Sequence, residues 1–499
     1  NLNIHYYDKL QVRPNMLYRW MNYQQFVRSK QMRASNRTRL YSQYRQEQVQ
    51  EKLSQLGIFS YMDMQYAPRD TTAACDTLDV TMQATFAKPL DAELELNVVT
   101  KSNDQTGPGA SFGVTRNNVF GGGESWNVKL KGSYEWQTGG GEKSSLMNSW
   151  EMGLSTSLTF PRVVFPHLGK REFDFPATTT FRLYINQLNR AKYYKLLSFG
   201  GNATYDFQPS RTSRHSITPF KLTFNVLQHQ SEDFKEIAEA NPALYVSLRN
   251  QFIPAMEYTY TYDNASGRRI KNPIWWQSTV TSAGNITSLI YRAFGKPFNE
   301  EDKSLLGAPF AQFVKLNTEL RHLWNIDKNN AIASRMAVGA LFTYGNATIA
   351  PYSEQFYVGG ANSIRAFTVR SVGPGGYHPE EGKYSYLDQT GTFRFEANVE
   401  YRFRILGDLH GAVFLDAGNV WLMRKDENRP NGQLTLKNFP KQVALGTGAG
   451  LRYDLDFLVF RFDWGVALHD PYDTGKKGYY NIPKFKDGMA WHFAIGYPF

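Results

Sequence analysis

The chain has 499 residues, of which 15% are aromatic and 40 are glycine, and its formal net charge is +11. No run of about eighteen apolar residues is present to cross a membrane as a helix, and the one cysteine, Cys75, excludes an intrachain disulfide and a thiolate metal cluster. Lys and Arg are spread along the chain, often at alternate positions and without a nucleic-acid-binding motif, so anionic headgroups or an aqueous lumen explain the charge better than DNA or RNA. A mean hydropathy of −0.49 is also what a transmembrane barrel gives, because its strands alternate lipid-facing and lumen-facing residues. No charged-then-apolar leader opens the chain at Asn1, which says nothing against export.

Residues 1–88 read as a small α/β unit. Within Asn36–Leu56, Val49, Leu53 and Leu56 recur at helical spacing, and Gly57 is placed as a C-terminal stop. Two short strands follow, Ile58–Tyr66 and Thr77–Phe86, the second alternating Leu78, Val80 and Met82. A helix on a small sheet is expected, with nothing catalytic in it.

From residue 89 to 499 the period becomes two. Ser125–Gln137 sets Trp126, Val128, Leu130, Tyr134 and Trp136 against Asn127, Lys129, Lys131, Ser133 and Glu135, and Asn148–Phe160 repeats the device. Such ten-residue segments edged by Trp and Tyr are the signature of an apolar belt between aromatic girdles. Sixteen antiparallel strands are expected near 91–101, 109–119, 125–137, 148–160, 177–188, 193–207, 214–227, 251–263, 274–284, 310–324, 331–345, 392–405, 409–421, 440–454, 457–468 and 489–499. A soluble sandwich or propeller also alternates, but these strands are long and their connectors grossly unequal. The connectors 228–250, 285–309, 346–391, 422–439 and 469–488 all follow odd-numbered strands, as a membrane barrel with long loops on one side and short turns on the other requires. Glu232–Asn250 carries Phe234, Ile237, Leu244 and Leu248 in helical spacing and is expected to be an ordered outer loop.

The connector 346–391 contains YVGGANSIRAFTVRSVGPGGY, apolar and glycine-rich where a solvated loop would be polar. Gly359–Gly360 and Gly375–Gly376 permit tight turns. A loop holding Ile364, Phe367 and Val369 is best accommodated by folding back into the barrel. Arg365 would then sit in the lumen and need carboxylates, which Glu400 in ANVEYRF and Asp416 in VFLDAGNVW supply on nearby strands. All three are equally readable as ordinary lumen charges.

Enzyme signals are poor. Gly109–Gly113 matches G-x-S-x-G but lies in a strand rather than a strand–turn–helix elbow. Gly446, Gly448 and Gly450 fall inside a strand with no helix after it and read as small lumen-side residues. His469, Asp470 and Asp473 read as a solvated loop more readily than as a metal site. No catalytic group, cofactor or metal is expected.

The segment SIRAF resembles the VRGF/Y motif in the sixth loop of the BamA/TamA family of outer-membrane assembly factors, and FLDAGNVW resembles the family's aromatic–Asp–Gly motif on the thirteenth strand. AWHFAIGYPF, ending in Phe499, is similar to the family's closing strand, and NRTRLYSQYRQEQVQEKLSQLGIFSYMDMQYAPRD to the second half of a POTRA domain, incomplete at its N-terminus. The resemblance implies a sixteen-stranded barrel behind a periplasmic POTRA-like unit, with the inward loop pinned by Arg365 against Glu400 on the twelfth strand and Asp416 on the thirteenth. Gly359, Gly360, Ile364, Phe367 and Gly418 fall in the same motifs. Ala366 departs from the family's glycine, which puts the turn in doubt if positive φ is needed there. The barrel would close between Leu94, Leu96 and Val98 of the first strand and Trp491, Phe493, Ile495, Gly496, Tyr497 and Phe499 of the last. Gly496 and Pro498 weaken pairing at the C-terminus, and a weak seam offers an edge to an incoming strand.

Three functions remain open. The first is an assembly factor whose partners are unfolded outer-membrane protein clients and outer-membrane lipid, with room for periplasmic or lipoprotein accessory subunits. The second is a TamA-like or two-partner-secretion translocation pore for protein or lipid. The third is an autonomous porin or barrel hydrolase, which the POTRA-like unit argues against.

Overall fold

The computed structural model describes residues 3–499 apart from 7–8, 22–42, 71, 73–77, 101–104, 138–148, 165–176, 191–193, 233–234, 236–249, 267–269, 296, 299–303, 306–307, 348, 380–387 and 456–457. At the N-terminus lie α1 (Pro14–Met21), α2 (Gln43–Gln55) and an antiparallel hairpin of β1 (Phe59–Pro68) and β2 (Leu78–Phe86). Val49 and Leu53, one helical turn apart, are buried with Met64 of β1, so the apolar stripe of α2 does what its spacing requires. Gly57 takes φ 65° just past that helix, the left-handed stop that glycine adopts without a Cβ penalty. The residues of the expected helix before Gln43 lie outside the described residues. Helix α1, whose Met16 and Leu17 pack with Val12 and Ile58, was not anticipated.

The remainder is one sixteen-stranded antiparallel sheet with next-neighbour connections throughout. Its first half comprises β3 (Leu90–Thr100), β4 (Gln105–Asn117), β5 (Ser125–Gln137), β6 (Ser149–Phe160), β7 (Ala177–Arg190), β8 (Tyr194–Ser210), β9 (Ser213–Gln230) and β10 (Gln251–Asp263). After β11 (Ile274–Ala283) come helix α3 (Asn285–Ala293) and a short separate hairpin, β12 (Ser304–Leu305) with β13 (Ala308–Pro309). The sheet continues through β14 (Phe313–Asn325), β15 (Asn330–Thr343), β16 (Phe393–Leu406), β17 (Leu409–Trp421), β18 (Ala444–Asp454), β19 (Val459–His469) and β20 (Met489–Ile495). This is a β-barrel fold of the expected strand number. Among the described pairings the ladder runs from β20 to β3.

The two faces are inverted relative to a soluble protein. Leu130, Leu183, Phe220, Met336, Val413 and Phe462, all on outward parity, are exposed. The opposite parity carries small, polar and charged residues, many of them buried against the inward-folded loop. Exposed apolar side chains at every second position on this scale mark a lipid-facing belt.

Several boundaries differ from the sequence reading. The tenth and fourteenth strands begin at Phe313 and Ala444 rather than at 310 and 440, and the latter is delayed by a 3-10 turn at Phe439–Lys441. The last strand ends at Ile495 because Gly496 takes φ 85°; Tyr497, Pro498 and Phe499 leave the sheet. The connector 161–176 follows an even-numbered strand, so long segments are not confined to one side. Most of the expected helical loop 232–250 lies outside the described residues.

The β14–β15 turn shows how these hairpins are closed. Asp327 Oδ1 accepts from the backbone N–H of Asn329 at 2.7 Å and of Asn330 at 2.9 Å. The Asn329 bond, with the Asn330 side chain, holds the Asp327 carboxyl below its ordinary value. A depressed carboxylate stabilises the turn above the ordinary carboxylate range, and that contribution is lost as pH falls through the lowered value. Asp327→Ala should therefore lower the amide protection factors at Asn329 and Asn330 at neutral pH, as acidification through the lowered value does in the parent chain once the intrinsic pH dependence of exchange is divided out. Unchanged protection in the variant would rule out this closure.

Candidate functional site

The lumen of the second half of the barrel is filled by the connector between β15 and β16. Its apolar residues Val358, Ile364, Ala366, Phe367 and Val372 join Ala444, Ala467 and Ile482 in a buried cluster, so the loop carries its own core into the barrel. Phe356 seats against Gly339 of β15, where an added Cβ would stand 2.6 Å from the ring. Gly359 and Gly360 take φ 102° and 92°, conformations that side chains rarely adopt. They start a tight turn in which the Gly360 N–H donates to the Phe367 carbonyl at 2.7 Å and the Phe367 N–H to Ile364 at 3.1 Å.

That turn delivers Arg365. The guanidinium is fully buried. Its Nε donates to Asp416 Oδ2 at 2.8 Å and its Nη2 to Asp416 Oδ1 at 2.9 Å, while Nη1 donates to Glu400. The Arg365 backbone N–H adds a third bond to Asp416 at 3.0 Å. The fork-to-carboxylate match is the geometry that lets arginine be dehydrated. The plane lies 3.5 Å over the Phe414 ring, which adds a cation–π contact in a dry site. Even parity on β16 and β17 puts Glu400, Asp416 and Phe414 on the lumen side, and Gly418 lets β16 approach closely, since an added Cβ would meet the Phe395 carbonyl at 2.5 Å.

The structure thus brings together the three charged residues read from the sequence and surrounds them with others that the reading missed. Arg452 of β18 donates to Glu400 at 3.0 Å and to Asp463 of β19 at 2.6 Å; Asp463 stands 3.9 Å from Arg365. Arg461 reaches the loop itself, donating to Asn362 Oδ1 at 2.6 Å. Three buried guanidiniums (Arg365, Arg452, Arg461) therefore face three buried carboxylates (Glu400, Asp416, Asp463). Beside them, Asn398 donates to Asp416 at 2.9 Å and to the Ser363 carbonyl at 2.8 Å, and the Ser363 hydroxyl donates to Glu396 at 2.7 Å. His492 of β20 bonds the Arg365 carbonyl through Nε2 at 2.8 Å, so the loop tip touches the last strand as well.

Ala366 has no positive φ, so its departure from glycine does not strain the turn. Its methyl rests on Gly446 of β18, where a Cβ would collide with it, and a Cβ on Gly465 of β19 would stand 2.8 Å from the Ala366 Cα. These two glycines form a notch for the loop tip. Gly446 was read only as a small lumen residue; the signal for Gly465 was its place on the lumen parity of β19, in register with Gly448.

The residues expected at the seam separate into two groups. Leu94, Leu96, Trp491, Phe493 and Ile495 are exposed on β3 and β20, and Val98 lies farther along β3. Gly496, Tyr497 and Phe499 lie beyond the end of β20. The tail bends inward instead, with Arg402 of β16 lying 4.4 Å over the Tyr497 ring and donating to the Phe499 carbonyl at 3.4 Å. The remaining motifs are absorbed by the fold. Ser111 donates its hydroxyl to Glu95 at 3.1 Å, and both ring nitrogens of His469 bond carbonyls, those of Tyr479 at 2.7 Å and Lys441 at 2.9 Å.

An apolar outer belt, sixteen strands and a loop clamped inside the lumen define an outer-membrane β-barrel with an internal plug-like loop. The profile of the Omp85 superfamily domain matches residues 118–499, and the chain belongs to that superfamily. Among curated relatives, the outer membrane protein assembly factor BamA of Nitratidesulfovibrio vulgaris (strain Hildenborough) is 26% identical over 201 residues, 40% of this chain. That match spans 22% of the relative's length. Among solved structures, BamA from Haemophilus ducreyi lacking POTRA domains 1–3 shares the fold with a TM-score of 0.59 at 13% identity, covering 97% of this chain and 82% of that one. CdiB from Acinetobacter baumannii is also similar, with a TM-score of 0.48 at 13% identity over 91% of this chain and 68% of that one.

Removing one partner of a buried ion pair costs about 3–5 kcal/mol. Arg365→Ala should therefore leave a folded barrel, visible as heat-modifiable migration, while exposing the 360–372 segment to limited proteolysis. Gly465→Val, which inserts a side chain where the loop backbone lies, should expose the same segment with all charges intact. Full protease resistance in both variants would show that neither contact holds the loop.

Proposed function

We propose that this chain is an outer-membrane protein insertion and assembly factor that catalyses no chemical reaction and acts on unfolded β-barrel clients. The observation that carries the reading is the contrast between a clamped interior and a thin edge. The loop is fixed by charge-assisted bonds to β16, β17 and β19, and Arg452 of β18 braces them by donating to Glu400. The terminal strand pairs with β19 only over Met489–Ile495 before the chain turns away at Gly496. An edge strand with free backbone groups is a template for strand addition, and a rigid interior lets it yield without unfolding the rest.

In this reading β3 and β20 meet at the barrel's closure, and the N-terminal unit is a POTRA-like module in the periplasm. Two contacts dock that unit on the turn after β4: Arg13 N–H donates to the Gly121 carbonyl at 2.7 Å and Asn118 to the Gln11 carbonyl at 2.7 Å. A module fixed beside the turns is placed to receive clients, and accessory subunits, on the periplasmic side. The kinship of part of the chain with an assembly factor, and the fold shared with a second one, support the same function.

Depletion of the protein in its own host, followed by quantitative proteomics of the outer membrane, separates this reading from its rival. A broad fall in β-barrel proteins is expected. Loss of one exported protein or a lipid-asymmetry defect, with other barrels intact, would replace it with a translocation pore.

A further inference from the structure

The outward face of the barrel is not uniformly convex. Across β5–β10 lies an apolar groove of about 1050 Å³. Its walls include Trp126, Phe181, Leu183, Phe199 and Phe220, all exposed on the lipid-facing parity. Its floor is made of small residues in register with them. Thr156 and Gly201 flank Leu183, and Ala203 lies between Phe181 and Phe220. Trp126 is held as a wall by donating its indole N–H to Thr156 Oγ1 at 2.8 Å. The one charged side chain among the lining residues, Arg182, stands on the opposite parity, facing the lumen.

A channel of this kind in a lipid-facing belt meets hydrocarbon, and its walls offer nothing polar that a peptide backbone or sugar would need. The groove reaches Val119 and Phe120 in the turn after β4, at the end of the barrel where Arg162, 3.8 Å from Glu124, keeps a side chain 39% exposed. A partly exposed cation at that end of an apolar groove complements a phosphate headgroup.

We propose that this groove is a binding site for one acyl chain of a phospholipid whose headgroup lies toward Arg162. Placing it in the periplasm-facing leaflet rests on the orientation proposed above; the groove itself does not depend on what the barrel assembles. An aromatic-walled groove holds its lipid longer than the smooth belt does, because a chain lodged between Phe181 and Phe220 gains dispersion contacts on both sides.

The full chain is reconstituted in vesicles of phosphatidylethanolamine and phosphatidylglycerol containing a photoactivatable phosphatidylglycerol with a diazirine on its acyl chain. Cross-links should concentrate on β7–β9 around Phe181, Ala203 and Phe220. Labelling spread evenly around the outward belt would overturn the proposal. Ala203→Phe fills the floor, whereas Val413→Phe adds the same bulk to the belt on β17. The first should lower cross-linking at β7–β9 at least tenfold and the second leave it unchanged; equal labelling in the two would also overturn it.

Discussion

The structure depends on the dehydration of one guanidinium. Arg365 sits inside a membrane barrel at zero exposure, where an uncompensated charge would cost several kcal/mol. Two carboxylates on adjacent strands, an aromatic face and three bonds to Asp416 compensate it. The loop cannot enter the lumen without delivering that charge, and the lumen cannot bury Glu400 and Asp416 without receiving it. Each side of the arrangement therefore makes the other necessary, which is why the glycine-rich segment around Arg365 is buried inside the barrel.

Around this ion cluster the fold allocates rigidity unevenly. Loop contacts concentrate on β15 to β19, where Arg335 of β15 bonds Glu396 at 3.1 Å and Glu319 at 3.2 Å and so extends the network across the wall. Toward β20 the ladder shortens and the chain leaves it after Ile495. His492 is the terminal strand's bond to the loop tip, linking a stiff interior to a thin edge. In the assembly reading, that linkage lets a change at the edge be felt by the loop.

Strand number and parity were legible because each rests on local pattern, and the Arg365–Glu400–Asp416 set became legible once the resemblance was added. Alternation fixes which residues share a face, and an Arg carried into the lumen by an apolar loop demands acidic partners. Arg452, Arg461 and Asp463 were illegible because on a barrel strand a lumen-facing charge looks the same whether it meets water or a loop. The Gly446–Gly465 notch depends on two strands meeting one turn from a distant connector, and no short window contains that. The last strand was read four residues too long because Tyr497 and Phe499 keep the alternation while Gly496, with φ 85°, breaks the backbone. The resemblance added what pattern could not, namely which of many lumen charges belong together.

The central claim is that Arg365 holds the loop inside the barrel. In a Cys75→Ser background, nitroxides at Thr368, exposed on the loop, and at Val413, exposed on β17, report the distance between loop and wall by pulsed electron resonance. One narrow distribution is predicted for the parent chain and a broad, longer one after Arg365→Ala. Identical narrow distributions in both would contradict the account, because the loop would then be held by its apolar core alone.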